Sequence, residues 1–283
     1  MANEDDVWLE VALNGAVGRQ FQPKIPVTPD DIIKDGVACA KAGAAIIHLH
    51  AYNANAEPVE DADIYSQIIE GIRDECDAIV YPTLALHGNL EERYAPIKTL
   101  MERGLLECGV VDPGSVNIVH RMQIFSGQDG FIYPNPTDHI REGLVLAAQG
   151  GWRPAYAIYE PGFARLGAAL ADTVENLKTP IYRLMFSDNL LFGMPPTLHG
   201  LAFYERFLSE LVPNAPWMLS GLDADVMHLI EPAVSLGAHI RVGLEDAPFG
   251  SETTNVEYVE KAVQLIESSG RKVATPAAIR MSD

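Results

Sequence analysis

Two histidines separated by one residue close a short apolar segment near the N-terminus. His48 and His50 belong to the run Ile46-Ile47-His48-Leu49-His50. Side chains along a strand alternate with a period of two, so both imidazoles face the same way. Two imidazoles on one inward face are costly to bury without a shared partner, and a metal ion satisfies both. The spacing therefore predicts two ligands of a metal site.

A second candidate motif lies near the C-terminus, where the β-branched segment His239–Val242 runs into Gly243 and then Glu245 and Asp246. Catalytic zinc sites have three protein ligands and keep one position open, so the histidine pair needs another donor. Adjacent carboxylates on a loop point in different directions, which allows one to bind metal and the other to act as a base. Arg241 can bind a substrate carboxylate or steady Asp246.

These motifs require a scaffold that gathers strand ends, and the chain alternates short apolar runs with segments of helical period. The predicted strands are Trp8–Leu13, Ala45–Leu49, Ala78–Thr83, Gly109–Asp112, Tyr156–Tyr159, Ile181–Met185, Pro216–Ser220 and His239–Val242. The predicted helices are Asp30–Ala42, Asp61–Cys76, Leu90–Met101, Asp138–Gln149, Ala164–Asn176, Thr197–Leu211, Asp223–Leu236 and Thr254–Ser269. Eight such units predict an α/β fold, a TIM (β/α)8 barrel, with an open doubly wound sheet as the alternative.

Composition agrees with one barrel and restricts the partners. The 283 residues are close to the ~250 of a typical barrel, which predicts a single domain over residues 1–283. The formal charge of −19 repels phosphate backbones and anionic lipids, so neither nucleic acid nor membrane is an expected partner. Cys39, Cys76 and Cys108 are widely spaced, which favours reduced thiols. The sequence lacks an 18-residue apolar span and a signal-peptide pattern, and we expect a cytoplasmic protein.

The motifs together resemble the β-keto acid cleavage enzyme family. The resemblance is carried by Ala42–His50 and Gly237–Asp246, with shorter matches in order at Pro26–Pro29, Gly114–Asn117 and Lys272–Pro276. It implies a (β/α)8 barrel with a divalent metal, usually Zn²⁺, and a homodimer or homotetramer. The implied reaction joins a 3-keto acid and acetyl-CoA to give acetoacetyl-CoA and a new acyl-CoA.

The resemblance also implies roles for individual residues. The implied metal ligands are His48, His50 and Glu245. Asp246 corresponds to the base that removes a proton from the acetyl-CoA methyl group, and Arg241 to the residue that positions it. The implied substrate contacts are Ser115, Asn117 and Glu160, with Thr83 in the place of a family hydroxyl. His87 follows the third strand, and as a loop residue near the strand ends it is a further candidate for substrate contact.

Three positions depart from the family pattern. Tyr52 stands where an arginine usually follows the histidines, Ala157 replaces a carboxylate of the fifth strand, and Asp223 replaces a basic turn. An acid near a CoA pyrophosphate is unfavourable, so a CoA-independent, aldolase-like metal-dependent lyase remains an alternative. A metal-dependent hydrolase would require histidines on the fifth and sixth strands, which have none. A metal-bearing barrel that binds a small ligand or a protein partner is the alternative without catalysis.

Overall fold

The computed structural model describes residues 6–282, and its core is a ring of parallel strands enclosed by helices. The strands are β1 Leu9–Ala12, β2 Ile46–Leu49, β3 Ala51–Tyr52, β4 Pro58–Val59, β5 Ile79–Pro82, β6 Cys108–Val110, β7 Val116–Ile118, β8 Phe131–Tyr133, β9 Arg153–Ile158, β10 Ile181–Phe186, β11 Trp217–Gly221 and β12 His239–Val242. The α-helices are α1 Pro29–Ala42, α2 Ala62–Arg73, α3 Leu90–Glu102, α4 Arg121–Ser126, α5 Thr137–Gly150, α6 Pro161–Ala171, α7 Leu198–Leu211, α8 Ile230–Ser235, α9 Asn255–Ser268 and α10 Pro276–Arg280.

Eight strands form one sheet in the order β5-β2-β1-β12-β11-β10-β9-β6, and every paired neighbour is parallel. The two end strands, β5 and β6, contact each other, so the sheet is nearly closed. Chain order is kept around the ring, and β1 lies between β2 and β12. The predicted (β/α)8 barrel is confirmed, and the eight predicted strands are the eight barrel strands.

The strands are buried on both faces, because one face fills the barrel and the other packs on helices. All six residues of β9 and all six of β10 are buried. The helix starts follow from local chemistry. Thr28 accepts a hydrogen bond from the Asp31 backbone N–H at the start of α1, with Pro29 in the first turn.

Some predicted helix bounds were wrong. The helix expected over Asp223–Leu236 begins only at Ile230, after a 3₁₀ turn at Met227–Leu229. Asp223 has φ +50, a left-handed conformation that cannot start a right-handed helix. The helix expected over Ala164–Asn176 instead begins at Pro161 and ends at Ala171, since proline is well suited to a first turn.

Two antiparallel hairpins follow barrel strands and were not predicted. The pair β3 and β4 follows β2, and the pair β7 and β8 follows β6 with α4 between them. Both therefore stand at the carboxyl ends of the strands, the face that we call the mouth. Within residues 6–282, no helix is long and apolar enough to cross a membrane.

Candidate active site

Three potential ligand side chains meet at the mouth. His48 lies on β2, His50 directly after it, and Glu245 on the loop after β12. His48 Nε2 lies 3.5 Å from Glu245 Oε2, and His50 Nε2 lies 3.5 Å from Glu245 Oε1. Their candidate ligand atoms all fall within 4.8 Å of one another. His50 Nε2 and Glu245 Oε2 are buried without a hydrogen-bond partner among the described residues, so both atoms are available as metal ligands.

The protonation states suit a metal. Burial lowers the pKa of His48 to about 4 even though the Glu245 carboxylate raises it, so the imidazole is neutral at pH 7. Burial opposes ionisation of Glu245, yet the charge of the Arg241 guanidinium, 3.1 Å from Oε1, holds the pKa of Glu245 well below its usual range. Neutral imidazole and ionised carboxylate are the forms that bind metal.

Backbone contacts fix the histidines. The Asn14 side chain donates to the His50 carbonyl oxygen at 3.0 Å and accepts from the His50 N–H at 2.9 Å. Leu13 directly precedes Asn14, and its N–H donates to the His48 carbonyl oxygen at 3.0 Å. In the ladder between β1 and β2, Ala12 pairs with His48. The end of β1 and the two residues after it therefore fix the backbone position of both histidines along the barrel axis.

Arg241 lies beside these three side chains and binds Asp246 through its planar fork. Arg241 Nε lies 2.9 Å from Asp246 Oδ2, and Arg241 Nη2 lies 2.8 Å from Asp246 Oδ1. The same Nη2 is 3.1 Å from Glu245 Oε1. Arg241 lines the mouth cavity, whereas Asp246 is 1% exposed and lies behind it. Burial raises the pKa of Asp246 to about 6 although Arg241 lowers it.

A buried polar network continues from Arg241 across the barrel. Glu10 on β1 is directly opposite Arg241 in the β1 and β12 ladder, and its Oε1 accepts from Arg241 Nη1 at 2.8 Å. Tyr81 donates to the same oxygen at 2.6 Å. Arg183 on β10 donates to Tyr81 Oη at 3.1 Å and lies 3.8 Å from Asp112. Burial would raise the pKa of Glu10, but Arg241 and Arg183 together hold it below the usual value.

The cavity at the mouth has a volume of about 150 Å³. A water molecule needs on the order of 10–15 Å³ of such volume, so the cavity suits a molecule of roughly ten non-hydrogen atoms. His48, His50, Glu245 and Arg241 line it together with Thr83. This arrangement can hold a cation, bind a small carboxylic acid and accept a proton.

A sequence model of the β-keto acid cleavage enzymes matches residues 6–282. The chain belongs to this family. A relative named 3-keto-5-aminohexanoate cleavage enzyme, from Fusobacterium nucleatum, is 27% identical, and the match covers 96% of this chain and 95% of the relative. A 3-oxoadipate:acetyl-CoA acetyltransferase from Cupriavidus necator is 28% identical, with 96% and 92% covered. These relatives are enzymes that cleave or transfer β-keto acids.

A solved structure of ObcA in a binary complex with oxaloacetate has the same fold. The TM-score is 0.70 at 16% identity, and the match covers 91% of this chain and 66% of that chain. The likeness supports the barrel fold of this chain.

Of the other predicted catalytic and substrate-contact residues, only Thr83 belongs to the cavity lining. Thr83 lines the cavity, but Ser115 and Asn117 are exposed on the outer face of the β7 hairpin. Ser115 Oγ accepts from the Asn135 N–H instead. The exposed His87 is outside the lining, as is Glu160, which accepts from the Gly193 N–H at 3.0 Å.

The three departures from the family pattern also have local structural roles. Tyr52 is buried and donates to the Gly15 carbonyl oxygen at 2.5 Å. Asp223 is 3% exposed and accepts from the Phe249 N–H at 2.9 Å. The Asp223 carboxylate therefore accepts a hydrogen bond within the loops at the mouth and does not face the cavity. Ala157 lines the cavity.

Sequence reasoning missed several polar residues that line or support the cavity of this β-keto acid cleavage enzyme family member. They include Glu10, Asp112, Tyr159 and Arg183. The available signal was weak: charged residues within otherwise apolar strands, at Glu10 in β1 and Arg183 in β10. Such residues are almost never fully buried unless paired, which indicates a network in the barrel interior.

Proposed function

We propose that this chain is a zinc-dependent β-keto acid cleavage enzyme that exchanges acyl groups between a 3-keto acid and acetyl-CoA. The observation that carries the proposal is the position of Arg241. It lines the same cavity as the three candidate ligands, contacts Glu245 at 3.1 Å, and holds Asp246 through two nitrogens. A cation site and a guanidinium–carboxylate pair in one small cavity suit deprotonation next to a ketone.

His48, His50 and Glu245 would hold the zinc ion, because two imidazoles and one carboxylate form a common catalytic donor set. The bound ion would supply Lewis-acid polarisation of the ketone oxygen. Within residues 6–282, His50 Nε2 and Glu245 Oε2 are buried and accept or donate no hydrogen bond, which supports this assignment.

The proton acceptor is the Arg241 and Asp246 pair. Because Arg241 lies between the cavity and Asp246, we infer that the proton moves through the guanidinium. As Arg241 takes the substrate proton, it gives one of its own N–H protons to Asp246, so the guanidinium keeps its charge. Glu10 holds Arg241 Nη1 from the other side and orients it. Thr83 lines the cavity and offers a hydroxyl to the substrate carboxylate.

Atom balance corrects the products expected from the family resemblance. Acetoacetyl-CoA together with a second CoA ester needs two CoA groups, and only one enters. In the balanced exchange, C2 of the keto acid loses a proton and attacks the acetyl carbonyl carbon, and CoA leaves as the thiolate. The thiolate then attacks C3, the C2–C3 bond breaks, and C2 regains the proton. The products are the acyl-CoA of the substrate and acetoacetate.

In this reaction the proton is removed from C2 of the keto acid, and not from the acetyl-CoA methyl group that the family resemblance implied. C2 lies between a ketone and a carboxylate, so its carbanion is delocalised into the ketone. The acetyltransferase name of the Cupriavidus necator relative describes acetyl transfer, which agrees with this direction of attack. Attack by the acetyl methyl carbon on the ketone would instead release acetate and a 3-ketoacyl-CoA.

Product analysis tests the proposal. Zinc-loaded protein is incubated with acetyl-CoA labelled at the carbonyl carbon and a panel of 3-keto acids, and products are identified by mass spectrometry. We expect the acyl-CoA of the substrate and acetoacetate labelled at C3. Release of acetate would redirect the attack to the acetyl methyl group. Cleavage without acetyl-CoA would establish the CoA-independent lyase in its place.

A matched pair of variants accompanies the assay. Asp246→Asn keeps the size of the side chain but removes the proton acceptor, so turnover should fall by at least ~100-fold while zinc content is unchanged. His199→Ala alters an exposed histidine on α7 and should leave turnover at the wild-type rate. Wild-type turnover in Asp246→Asn would remove Asp246 from the mechanism.

A further inference from the structure

The cavity has two chemically different sides, which correspond to two arcs of the barrel. In ring order, β2, β1 and β12 lie opposite β10, β9 and β6. We call the first set the reactive arc, because it carries His48 and Arg241 and leads into His50 and Glu245. The second set is the acyl arc.

The acyl arc and its hairpin present mainly hydrocarbon to the cavity. The lining residues from these elements include Val110 on β6, Ala157 on β9, Met185 on β10, and Ile118 and Phe131 on the hairpin of β7 and β8. Val110, Ala157 and Met185 are at most 6% exposed. A ligand group that enters here replaces water beside apolar side chains.

The two charged side chains on this side are already engaged. Asp112 Oδ1 accepts from the Ala157 N–H, and its Oδ2 accepts from the Tyr133 hydroxyl, both at 2.8 Å. Arg183 Nη2 lies 3.8 Å from Asp112 Oδ1 and donates to the Ala155 carbonyl oxygen at 3.1 Å.

Arg183 also donates from Nη1 to the Tyr81 hydroxyl at 3.1 Å. Its Nε has no partner among the described residues, but that atom is buried and is not presented to a ligand. The charges of Asp112 and Arg183 therefore offset each other within the wall, and neither is held ready for a charged substrate group.

We propose that the acyl arc selects 3-keto acids whose substituent on C3 is uncharged and apolar. The inference rests on the proposed function and specifies its substrate. An ammonium or carboxylate on the substituent would lose its water without gaining a counter-ion. An alkyl substituent gains from burial, by roughly fourfold in kcat/KM for each methylene that the cavity accommodates.

A matched pair of substrates tests the selectivity. 3-Oxohexanoate and 3-oxoadipate both have six carbons, and in the second a carboxylate replaces the terminal methyl group of the substituent. We expect kcat/KM to be at least ~100-fold higher for 3-oxohexanoate, with 3-keto-5-aminohexanoate as the ammonium counterpart and equally poor. Equal or greater turnover of either charged acid would overturn the inference.

A binding measurement separates this inference from the proposed function. The dissociation constants of the same acids for the zinc-loaded protein are measured by calorimetry without acetyl-CoA. If no acid is turned over but 3-oxohexanoate binds at least ~10-fold more tightly than 3-oxoadipate, the exchange reaction is refuted and the selectivity stands. If both acids bind equally, the selectivity fails whatever the turnover.

One variant pair locates the selectivity. Met185→Lys places an ammonium on the acyl arc with little change in length, and should raise the kcat/KM ratio of 3-oxoadipate to 3-oxohexanoate by at least ~10-fold. Met185→Leu, the apolar control, should keep the wild-type preference. An unchanged ratio in folded Met185→Lys would show that the substituent does not contact Met185, which would overturn the assignment of the selectivity to the acyl arc. The preference for apolar substituents is tested separately, by the substrate comparison with the wild-type protein.

Discussion

Gly15 lies directly against the side chain of Glu245. A Cβ atom on Gly15 would come within 2.8 Å of Glu245 Cγ. The backbone of Gly15 has φ +63, a left-handed conformation that favours glycine. Its carbonyl oxygen is held by the Tyr52 hydroxyl, so the segment cannot easily retreat. Gly15 therefore determines where the proposed third metal ligand can lie.

Gly15→Ala should weaken zinc binding by about 10–100-fold, because the added methyl group displaces Glu245 from the two histidines. Affinity is measured by competition with a chelator. Gly104→Ala is the control, since Gly104 has φ +70 but no atom within 4 Å of its Cβ position. Both variants carry backbone strain, so equal losses of zinc affinity would contradict the role of Gly15.

His48→Ala should remove the metal and the activity while the barrel stays folded. The imidazole is one of three candidate ligands, and a catalytic metal is not the source of barrel stability. Metal content is measured by elemental analysis and the fold by circular dichroism. The exposed His199→Ala variant should retain stoichiometric zinc. A His48→Ala protein that still binds one zinc tightly would rule out this ligand set.

Arg241→Lys tests whether the planar fork matters beyond its charge. Lysine cannot reach Asp246 and Glu10 together, so we expect kcat to fall by at least ~100-fold. Zinc content should remain near that of wild type. A merely electrostatic role predicts a small loss, so a variant with more than a tenth of the wild-type kcat would exclude the relay through the guanidinium.

Glu10→Gln removes a buried charge but keeps an oxygen that can accept from Tyr81. Glu10 has no exposed surface and binds Arg241 at 2.8 Å. Loss of its charge leaves Arg241 and Arg183 less compensated, which should lower the free energy of unfolding by about 3 kcal/mol. Denaturant titration measures the change. The exposed Glu260→Gln on α9 should stay within ~0.5 kcal/mol of wild type, and a similar shift in both would disprove the network's contribution.

His239 should make stability depend on pH. Its ring stacks on Trp8 with 4.3 Å between centroids, and Nδ1 accepts from the Trp8 N–H. Burial and the Arg153 charge lower the pKa of His239 to about 3, against about 6.5 in an unfolded chain. The unfolded state therefore binds the extra proton between these values. The contribution of His239 to the free energy of unfolding is complete above pH ~6.5. It declines as pH falls towards ~3, by at most about 1.4 kcal/mol per pH unit.

The His239→Gln variant checks that sign. Melting temperatures of wild type and variant are compared from pH 7 to pH 4, where carboxylates contribute equally to both proteins. The gap between them should narrow as pH falls, because the variant has no imidazole to protonate. A gap that widens on acidification would mean that protonated His239 is stabilised in the fold.

The sequence contains enough periodicity to predict the barrel and the pair His48 and His50. Each depends on local patterns: β-branched runs give strands, and a spacing of two puts the imidazoles on one face. The contact of Glu10 with Arg241 could not be predicted in this way. The two residues are 231 positions apart and become neighbours only when β1 pairs with β12.

Ser115 and Asn117 remain predicted substrate contacts, although neither lines the cavity. Both are exposed where the hairpin of β7 and β8 begins. The same segment carries Val116 and Ile118, which are buried. Alternation of these apolar residues with Ser115 and Asn117 is the signal of a half-buried strand, and it would have indicated the outward direction.

The reactive and acyl arcs also differ in where the gene encodes them. The reactive arc combines β1 and β2 from the start of the chain with β12 from its end, and closing the ring joins them. The acyl arc comes from one uninterrupted stretch, Cys108–Phe186. One exchange of that stretch with a relative, through two junctions, would replace the whole acyl arc and keep His48, His50 and Arg241. Arg183 lies inside the stretch and donates to Tyr81 outside it, so the exchange preserves the buried network only where the incoming stretch also has an arginine at that position.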